Sequence, residues 1–372
     1  MTAPADDDAR LMRAALAYAA HGLGETSPNP SVAALIVRDG VIVARGRTAP
    51  GGRPHAERLA IMAAGEAARG ATMIVTLEPC ARRSSASGEG SCSDAILGAG
   101  LARVVIGADD PSPFAAGEGA ARLEAAGIVV RRGVEAAAAR RLNLGHLLRI
   151  TAHRPLVSLK LARTADGFAG TRDGGPIMIT GPVSFRHTHV ARAEADAIMV
   201  GISTVLGDDP KLNCRLPGLE HRSPARIVID TGLRLPPECH LARTARDVPT
   251  RVFARADADP ARAAALGALG VDVTLLPADA TGKVDLTLAL AALSAAGVTR
   301  LMVEGGPTLA NALAAADLVD DLTLMTGPEA SGGGLPAIGP ALAAWIAAET
   351  ANTPPREERW GDDRVLFIEK DR

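Results

Sequence analysis

Apolar residues in the first half of the chain fall in short runs separated by stretches of helical spacing. In SVAALIVRDGVIVARG (31–46) two apolar runs flank Asp39-Gly40, a dipeptide suited to a tight turn, and the pattern predicts a β-hairpin. Across 55–68, Leu59, Met62, Ala63 and Ala67 recur at steps of three and four, the spacing of one helix face. ATMIVTLEP (71–79) reads as a buried strand ended by a proline, 92–97 as the start of a helix, and ARVVIGA (102–108) as a second buried strand. A helix over 119–126, a strand GIVVRR (127–132) and one long Ala-rich helix over 134–150 complete this half. Strands separated by helices imply a largely parallel sheet covered on both faces.

The punctuation TAHRP (151–155) marks a boundary, so two domains are expected, 1–150 and 151–372. After it the alternation restarts. PLVSLKLA (155–162) predicts a strand, 166–175 a Gly-rich loop, Pro182 a helix start, AIMVG (197–201) a strand and 203–207 a short helix. ARIVID, TRVFA, VDVTLL and RLMVEG follow as strands among Ala-rich helices, and DRVLFIE closes the chain as a strand. GPEASGGGLPAIGP (327–340) reads as a mobile loop. The expected class is α/β throughout.

Composition narrows the function. The 372 residues are 47% hydrophobic and only 2% aromatic, so Ala, Leu, Val and Ile must fill the cores. A net charge of −2 without a basic stripe argues against a polynucleotide partner and for a small-molecule substrate. MTAPADDDAR has no apolar core of a secretory signal, and no apolar run is long enough to span a membrane. Four cysteines are too few for a disulfide framework, which points to the reducing cytoplasm.

Two of those cysteines carry candidate chemistry. PHAE (54–57) and TLEPC (76–80) offer His55, Glu57 and Cys80, and Cys92 follows after an eleven-residue interval. A catalytic zinc takes three nitrogen or sulfur ligands and leaves its fourth position to water. His55, Cys80 and Cys92 supply that set, and Glu57, on the first turn of the His55 helix, suits proton transfer. H-x-E followed by P-C-x-x-C is the signature of zinc deaminases; here eleven residues rather than two separate the cysteines. Cys80 is expected at a helix start, where thiol pKa falls. In the second half, VEGGPTLANAL (303–313) places Gly305 and Gly306 between a strand and a helix, a turn that lets backbone N–H groups approach a phosphate.

TSPNP (26–30), PHAE, TLEPC and SCSDAI (91–96) in this order resemble the bifunctional riboflavin-biosynthesis deaminase–reductases, in which the two cysteines are likewise far apart. The second half resembles the same family through TADG (164–167), ITGP (179–182), AIMVGISTVLGDDPKLNCR (197–215) and VEGG (303–306). The resemblance implies a cytidine-deaminase-like three-layer α/β/α domain followed by a dihydrofolate-reductase-like domain. It implies zinc and NADPH as cofactors, a phosphorylated pyrimidine as substrate, and a homo-oligomer is expected. The implied reactions are hydrolytic deamination of 2,5-diamino-6-(5-phosphoribosylamino)pyrimidin-4(3H)-one and NADPH reduction of its ribosyl chain to ribityl. Carried over by position, Ala162, Thr204, Asp208, Gly305 and Gly306 resemble NADPH contacts, with Asp208 also a candidate proton relay. Asn29, Arg192, Leu212, Arg215 and Glu304 resemble substrate contacts, the two arginines suiting a phosphate.

Two departures from the family, at the 81–91 loop and at Pro176 and Met178, and one ambiguous position, Asn29, keep alternatives open. ARRSSASGEGS (81–91) replaces a family loop that carries histidines and prolines, and Arg82 and Arg83 either grip a phosphate there or are solvated. Asn29 either meets the pyrimidine or simply makes a turn. Pro176 and Met178 stand where the family has a hydroxyl and an indole. The alternative reading is a reductase with an inert or differently specific deaminase half; a nucleic-acid deaminase and a non-enzymatic regulator are weaker rivals. His187 and His189 lie two apart on a helix and face different ways, so a shared metal is not expected. His146 reads as a surface or domain-interface residue. Cys214, His221, Cys239 and His240 lack metal-ligand spacing, and Asp209 before Pro210 reads as a cap or turn.

Overall fold

A computed structural model describes residues 4–82, 90–170 and 178–371. Arg83, most of the 81–91 interval and Pro176 lie outside the described residues. The chain divides into two compact units, Met1–Arg154 and Pro155–Arg372.

The first unit runs α1 (Pro4–Ala20), β1 (Ala33–Arg38), β2 (Val41–Arg47), α2 (Ala56–Ala64), β3 (Thr72–Leu77), α3 (Cys92–Ala99), β4 (Arg103–Ala108), α4 (Glu118–Ala125), β5 (Val129–Arg131), α5 (Ala136–Leu142) and α6 (Leu144–Thr151). Its sheet has the order β2-β1-β3-β4-β5. β1 is antiparallel to both neighbours, β2 and β3, and the remaining pairs are parallel, so the sheet is mixed. α2, α3 and α4 touch in succession on one face, and α1 and α5 pack together against the strands, giving three layers. Met12, Ile36, Met73, Ile74, Leu77, Ile96, Ile106 and Leu123 are fully buried between them. Each such side chain contributes ~1.5–3 kcal/mol by leaving water.

Two glycines permit the close approaches that place the candidate ligands. A Cβ on Gly46 of β2 would lie 2.2 Å from the Ala56 carbonyl oxygen, so only glycine lets the start of α2 rest on the strand. A Cβ on Gly119 would lie 1.9 Å from the Pro79 carbonyl oxygen, so the loop after β3 sits directly on the first turn of α4. The helix expected over 134–150 is two helices, α5 and α6, broken at Asn143 (φ −93°, ψ 8°). The Asn143 amide donates to the Ala139 carbonyl at 3.0 Å, a local bond that competes with helix continuation and that apolar periodicity does not register.

The second unit comprises β6 (Leu156–Arg163), α7 (Pro182–Ala193), β7 (Ala197–Gly201), α8 (Ile202–Asp208), β8 (Ala225–Ile229), α9 (His240–Arg243), β9 (Thr250–Arg255), α10 (Pro260–Ala268), β10 (Asp272–Leu276), α11 (Leu286–Ala295), β11 (Arg300–Val303), α12 (Pro307–Ala315), β12 (Asp321–Thr326), α13 (Pro340–Thr350), β13 (Arg356–Trp360) and β14 (Asp363–Glu369). The sheet order is β10-β9-β8-β7-β11-β6-β12-β14-β13, parallel up to β12 and antiparallel beyond it. β7 and β11 are neighbours, yet the chain leaves β7 toward β8 on one side and leaves β11 toward β12 on the other. Such a reversal opens a crevice at the carboxyl ends of the two strands, the usual ligand position in α/β sheets.

The 327–340 segment is tied down rather than free. Ser331 and Gly332 donate backbone N–H bonds to the Asp166 carboxylate at 3.0 and 2.8 Å, and Phe168 pairs with Pro336. Asp209 caps α8 in a left-handed conformation and accepts the His240 N–H at 2.7 Å.

Candidate active sites

In the first unit the loop after β3 is held by Glu78. Its buried carboxylate accepts N–H bonds from Gly117 at 3.0 Å and Ala120 at 3.1 Å, fixing Pro79 and Cys80 against α4. Cys80 does not start a helix, as the sequence suggested, but lies in this loop. It is Cys92 that opens α3, and Ser91 and Asp94 form the capping box that sets where that helix begins. The Cys92 N–H points at the Cys80 sulfur, 3.2 Å away. The long interval between the cysteines therefore closes on itself.

His55 is the N-cap residue of α2. Its Nδ1 lies 3.3 Å from Cys92 Sγ and 3.9 Å from Cys80 Sγ, and the three donor atoms all fall within 4.8 Å of one another. Metal bonds of 2.0–2.3 Å in a tetrahedron put donor atoms about 3.5 Å apart. The donor set and its spacing therefore fit zinc. Glu57 is 4% exposed, and burial raises its pKa. The bond with the Cys92 side chain draws the Cys80 thiol down to about 4, with His55 adding to the effect, while Cys92 is pushed well above the ordinary thiol range. The Cys80 contact raises His55 in turn. One thiolate and one thiol facing an imidazole are poised for a cation that ionises both sulfurs.

These residues line a cavity of about 270 Å³ together with Asn29, Asp110 and His146. Asn29 serves both as turn and as cavity wall: its backbone N–H bonds Thr26, and its side chain donates to the Gly52 carbonyl at 3.2 Å. Arg82 is engaged by Glu118 in a two-point ion pair. His146 is buried, not a surface residue, and bonds Asp110 at 3.0 Å. The apolar pattern gave no sign of it because helix 134–150 was read without its break.

In the second unit Glu304 follows β11 at the β7–β11 crevice, its N–H bonded to the Met199 carbonyl of β7 at 3.0 Å. Arg192 grips it with two bonds, 2.6 and 2.9 Å, and donates a third to the Asn213 carbonyl. Burial pushes the Glu304 pKa up, but Arg192 outweighs it and Lys160 adds to the effect, so the carboxylate stays ionised. Arg215 lies over the Phe185 ring, and its backbone N–H donates to His189 Nδ1 at 3.1 Å. Burial and the positive charges of Arg192 and Arg215 lower His189 to about 4, so it is neutral. Leu212 is 3% exposed in an apolar cluster, so its side chain serves packing.

Thr204 and Asp208 lie on α8, which follows β7, Gly305 and Gly306 stand between β11 and α12, and Ala162 on β6 is paired with Met325 of β12. A Cβ on Gly305 would meet Leu309 Cδ2 at 2.7 Å, so the Leu309 side chain would have to shift. Gly306 faces open space ahead of α12. A helix N-terminus beside open space fits a phosphate-bearing cofactor. Met178 is exposed, and His187 stacks on Trp360 while His189 turns inward, so the two face apart.

The cytidine and deoxycytidylate deaminase zinc-binding region matches residues 5–108, and the RibD C-terminal domain matches residues 155–347. The riboflavin biosynthesis protein RibD of Aquifex aeolicus is 36% identical over 363 residues, covering 98% of each chain. That of Escherichia coli is 38% identical over 336 residues, 87% of this chain and 89% of its own. Among solved structures, Acinetobacter baumannii RibD superposes with a TM-score of 0.83 at 29% identity, covering 99% of this chain and 100% of that one. The diaminohydroxyphosphoribosylaminopyrimidine deaminase/5-amino-6-(5-phosphoribosylamino)uracil reductase of Thermotoga maritima gives 0.82 at 28% identity, covering 99% of each chain.

Proposed function

The chain belongs to the bifunctional deaminase–reductases of riboflavin biosynthesis, and from that premise we propose how its residues divide the two reactions. The first unit deaminates 2,5-diamino-6-(5-phosphoribosylamino)pyrimidin-4(3H)-one, and the second reduces the ribosyl chain of the product to ribityl. The observation that carries the first half is the convergence of His55, Cys80 and Cys92 beside a buried Glu57.

Zinc, held by those three residues, supplies the Lewis acidity that makes water nucleophilic near neutral pH. Glu57 takes one proton from the attacking water and passes it to the ring nitrogen, then carries the second, from the hydroxyl so formed on the carbon, to the departing amine. A C–O bond forms, a C–N bond breaks, and ammonia leaves. Burial raises the Glu57 pKa, which makes its carboxylate a better acceptor for a proton of the water. Asn29 orients the pyrimidine from the cavity wall.

In the second unit Ala162, Thr204, Asp208 and the Gly305–Gly306 turn would hold NADPH, which when bound would supply the hydride that C1 of the ribosylamine needs. Arg192 holds Glu304 ionised toward the ribityl hydroxyls, Arg215 meets the phosphate, and Leu212 contributes its backbone. Asp208 relays or orients the proton required as the ring opens. The small acidic balance and four free cysteines support a small-molecule enzyme of the reducing cytoplasm, acting without nucleic acid or membrane; that it acts as a homo-oligomer is proposed from the family resemblance alone.

The test is ammonia release from the diaminopyrimidine by zinc-loaded protein, with Glu57→Gln as control. Release that disappears in the variant supports the assignment. Folded, metallated wild-type protein that releases none leaves the reductase-only alternative.

A further inference from the structure

α6 lies beyond the zinc-binding region that ends at residue 108, yet it walls the same cavity. His146, Arg149 and Ile150 all line it, and their spacing of three and four puts them on one helix face. His146 is 8% exposed, and its Nε2 lies 3.0 Å from Asp110 Oδ1. Asp110 is anchored in turn: Oδ1 accepts the Ser112 N–H at 2.9 Å and Oδ2 the Ser112 hydroxyl at 2.9 Å. Burial pushes the Asp110 pKa up, but His146 and Ser112 outweigh it, so the carboxylate is ionised and can only accept. His146 Nε2 therefore donates to Asp110, which leaves Nδ1 for another partner. That Nδ1 is buried with no hydrogen-bond partner among the described residues. A buried polar atom left unpaired is costly, and one on a ring that lines a ligand cavity is suited to a polar group of the ligand.

We propose that His146, locked by Asp110, reads a hydroxyl of the substrate's sugar arm, and that Arg149 on the same helix face takes its phosphate. This rests on the deaminase reading above and adds what selects the substrate. The catalytic end of the cavity comes from residues 29–92, whereas the specificity wall comes from 110–150. A volume of about 270 Å³ is at the small end of ligand sites, suited to one phosphorylated nucleoside-like molecule.

The variants separate the roles of the two ring nitrogens. His146→Gln keeps a donor where Nε2 meets Asp110 and removes Nδ1; His146→Asn keeps a polar atom near Nδ1. Ammonia release is measured on the phosphorylated diaminopyrimidine and on its dephosphorylated form, with zinc content and melting temperature read alongside. His146→Gln is expected to raise KM about ten-fold with little change in kcat, metal or melting temperature, and His146→Asn to recover part of that loss. Arg149→Gln is expected to reduce the preference for the phosphorylated substrate roughly ten-fold or more, and Arg149→Lys to restore most of it. Wild-type KM in His146→Gln together with unchanged phosphate preference in Arg149→Gln overturns the inference. So does a KM change that appears only with lost zinc or a lowered melting temperature, which is the mark of a structural role. A wild-type protein that releases no ammonia from either substrate overturns the deaminase reading itself, so the two failures are distinct.

Discussion

In the first unit two sulfurs and an imidazole nitrogen crowd within 4.8 Å, an arrangement that shares protons uneasily and favours a cation among them. In the second, Glu304 and Arg192 meet head on through two bonds, so the charges at the crevice neutralise each other before any ligand arrives. The first site is completed by its metal; the second is preorganised by the chain. The contrast teaches that metal removal must disable one half and spare the other, whereas a single lost charge should cost the second half its stability as well as its activity.

The largest effect is expected from Cys92→Ser, which removes a ligand and the residue that opens α3. Zinc content should fall and ammonia release drop at least ~10³-fold, beyond the 10–100-fold typical of residues behind the ligands. Reductase turnover on deaminated substrate should stay at the wild-type level. A parallel fall in both activities would break the comparison. Glu57→Gln sharpens it: zinc is retained, because Glu57 is no ligand, while ammonia release falls ~10²–10⁴-fold.

Arg192→Leu tests the other side. It leaves Glu304 buried and unpaired, which costs about 3–5 kcal/mol. Urea unfolding of the intact chain should show this loss, and the double replacement with Glu304→Leu should regain most of it. Equal losses in single and double variants would mean that the pair is not coupled. His189→Leu is expected to cost less, about 1 kcal/mol, through loss of the acceptor that pins the Arg215 backbone. His189→Asn, which keeps an acceptor near Nδ1, should recover part of the reductase KM.

The differences in legibility follow from the same physics. Zinc ligation requires particular residue types, so His55, Glu57, Cys80 and Cys92 stood out even with eleven residues between the cysteines. Strand and helix order was legible because apolar runs are dictated by burial. The antiparallel attachment of β1 to β3 was not, since pairing direction leaves no trace in periodicity. Nor was the break at Asn143, where one side-chain bond to Ala139 reorients the helix and turns His146 into a cavity residue. The Arg192–Glu304 pair also escaped: each residue was expected to meet substrate, and their mutual contact spans two distant segments that only the fold brings together. Gly305 shows the converse, a motif residue that also packs closely on the Leu309 side chain, so a cofactor is not its only neighbour of consequence.

The smallest effect concerns the segment expected to be mobile. The Thr164 hydroxyl, then the Ser331 and Gly332 N–H groups, hold the Asp166 carboxyl down to about 2. An aspartate whose folded pKa lies below its unfolded value of about 3.9 stabilises the fold above that pH and loses the contribution as pH falls toward 2. Between about pH 4 and pH 2 the tie between Asp166 and residues 331–332 should therefore loosen, with the sheet intact. Amide hydrogen exchange at Ser331 and Gly332 measures it directly: protection should fall across that window in the wild type. Asp166→Asn, which keeps an acceptor but cannot ionise, should show weaker protection at neutral pH and no acid-dependent step. Protection that is pH-independent in both would assign the order of this segment to Phe168–Pro336 pairing and the neighbouring backbone bonds alone, and the likeness to a charge-built site would stop at Arg192 and Glu304.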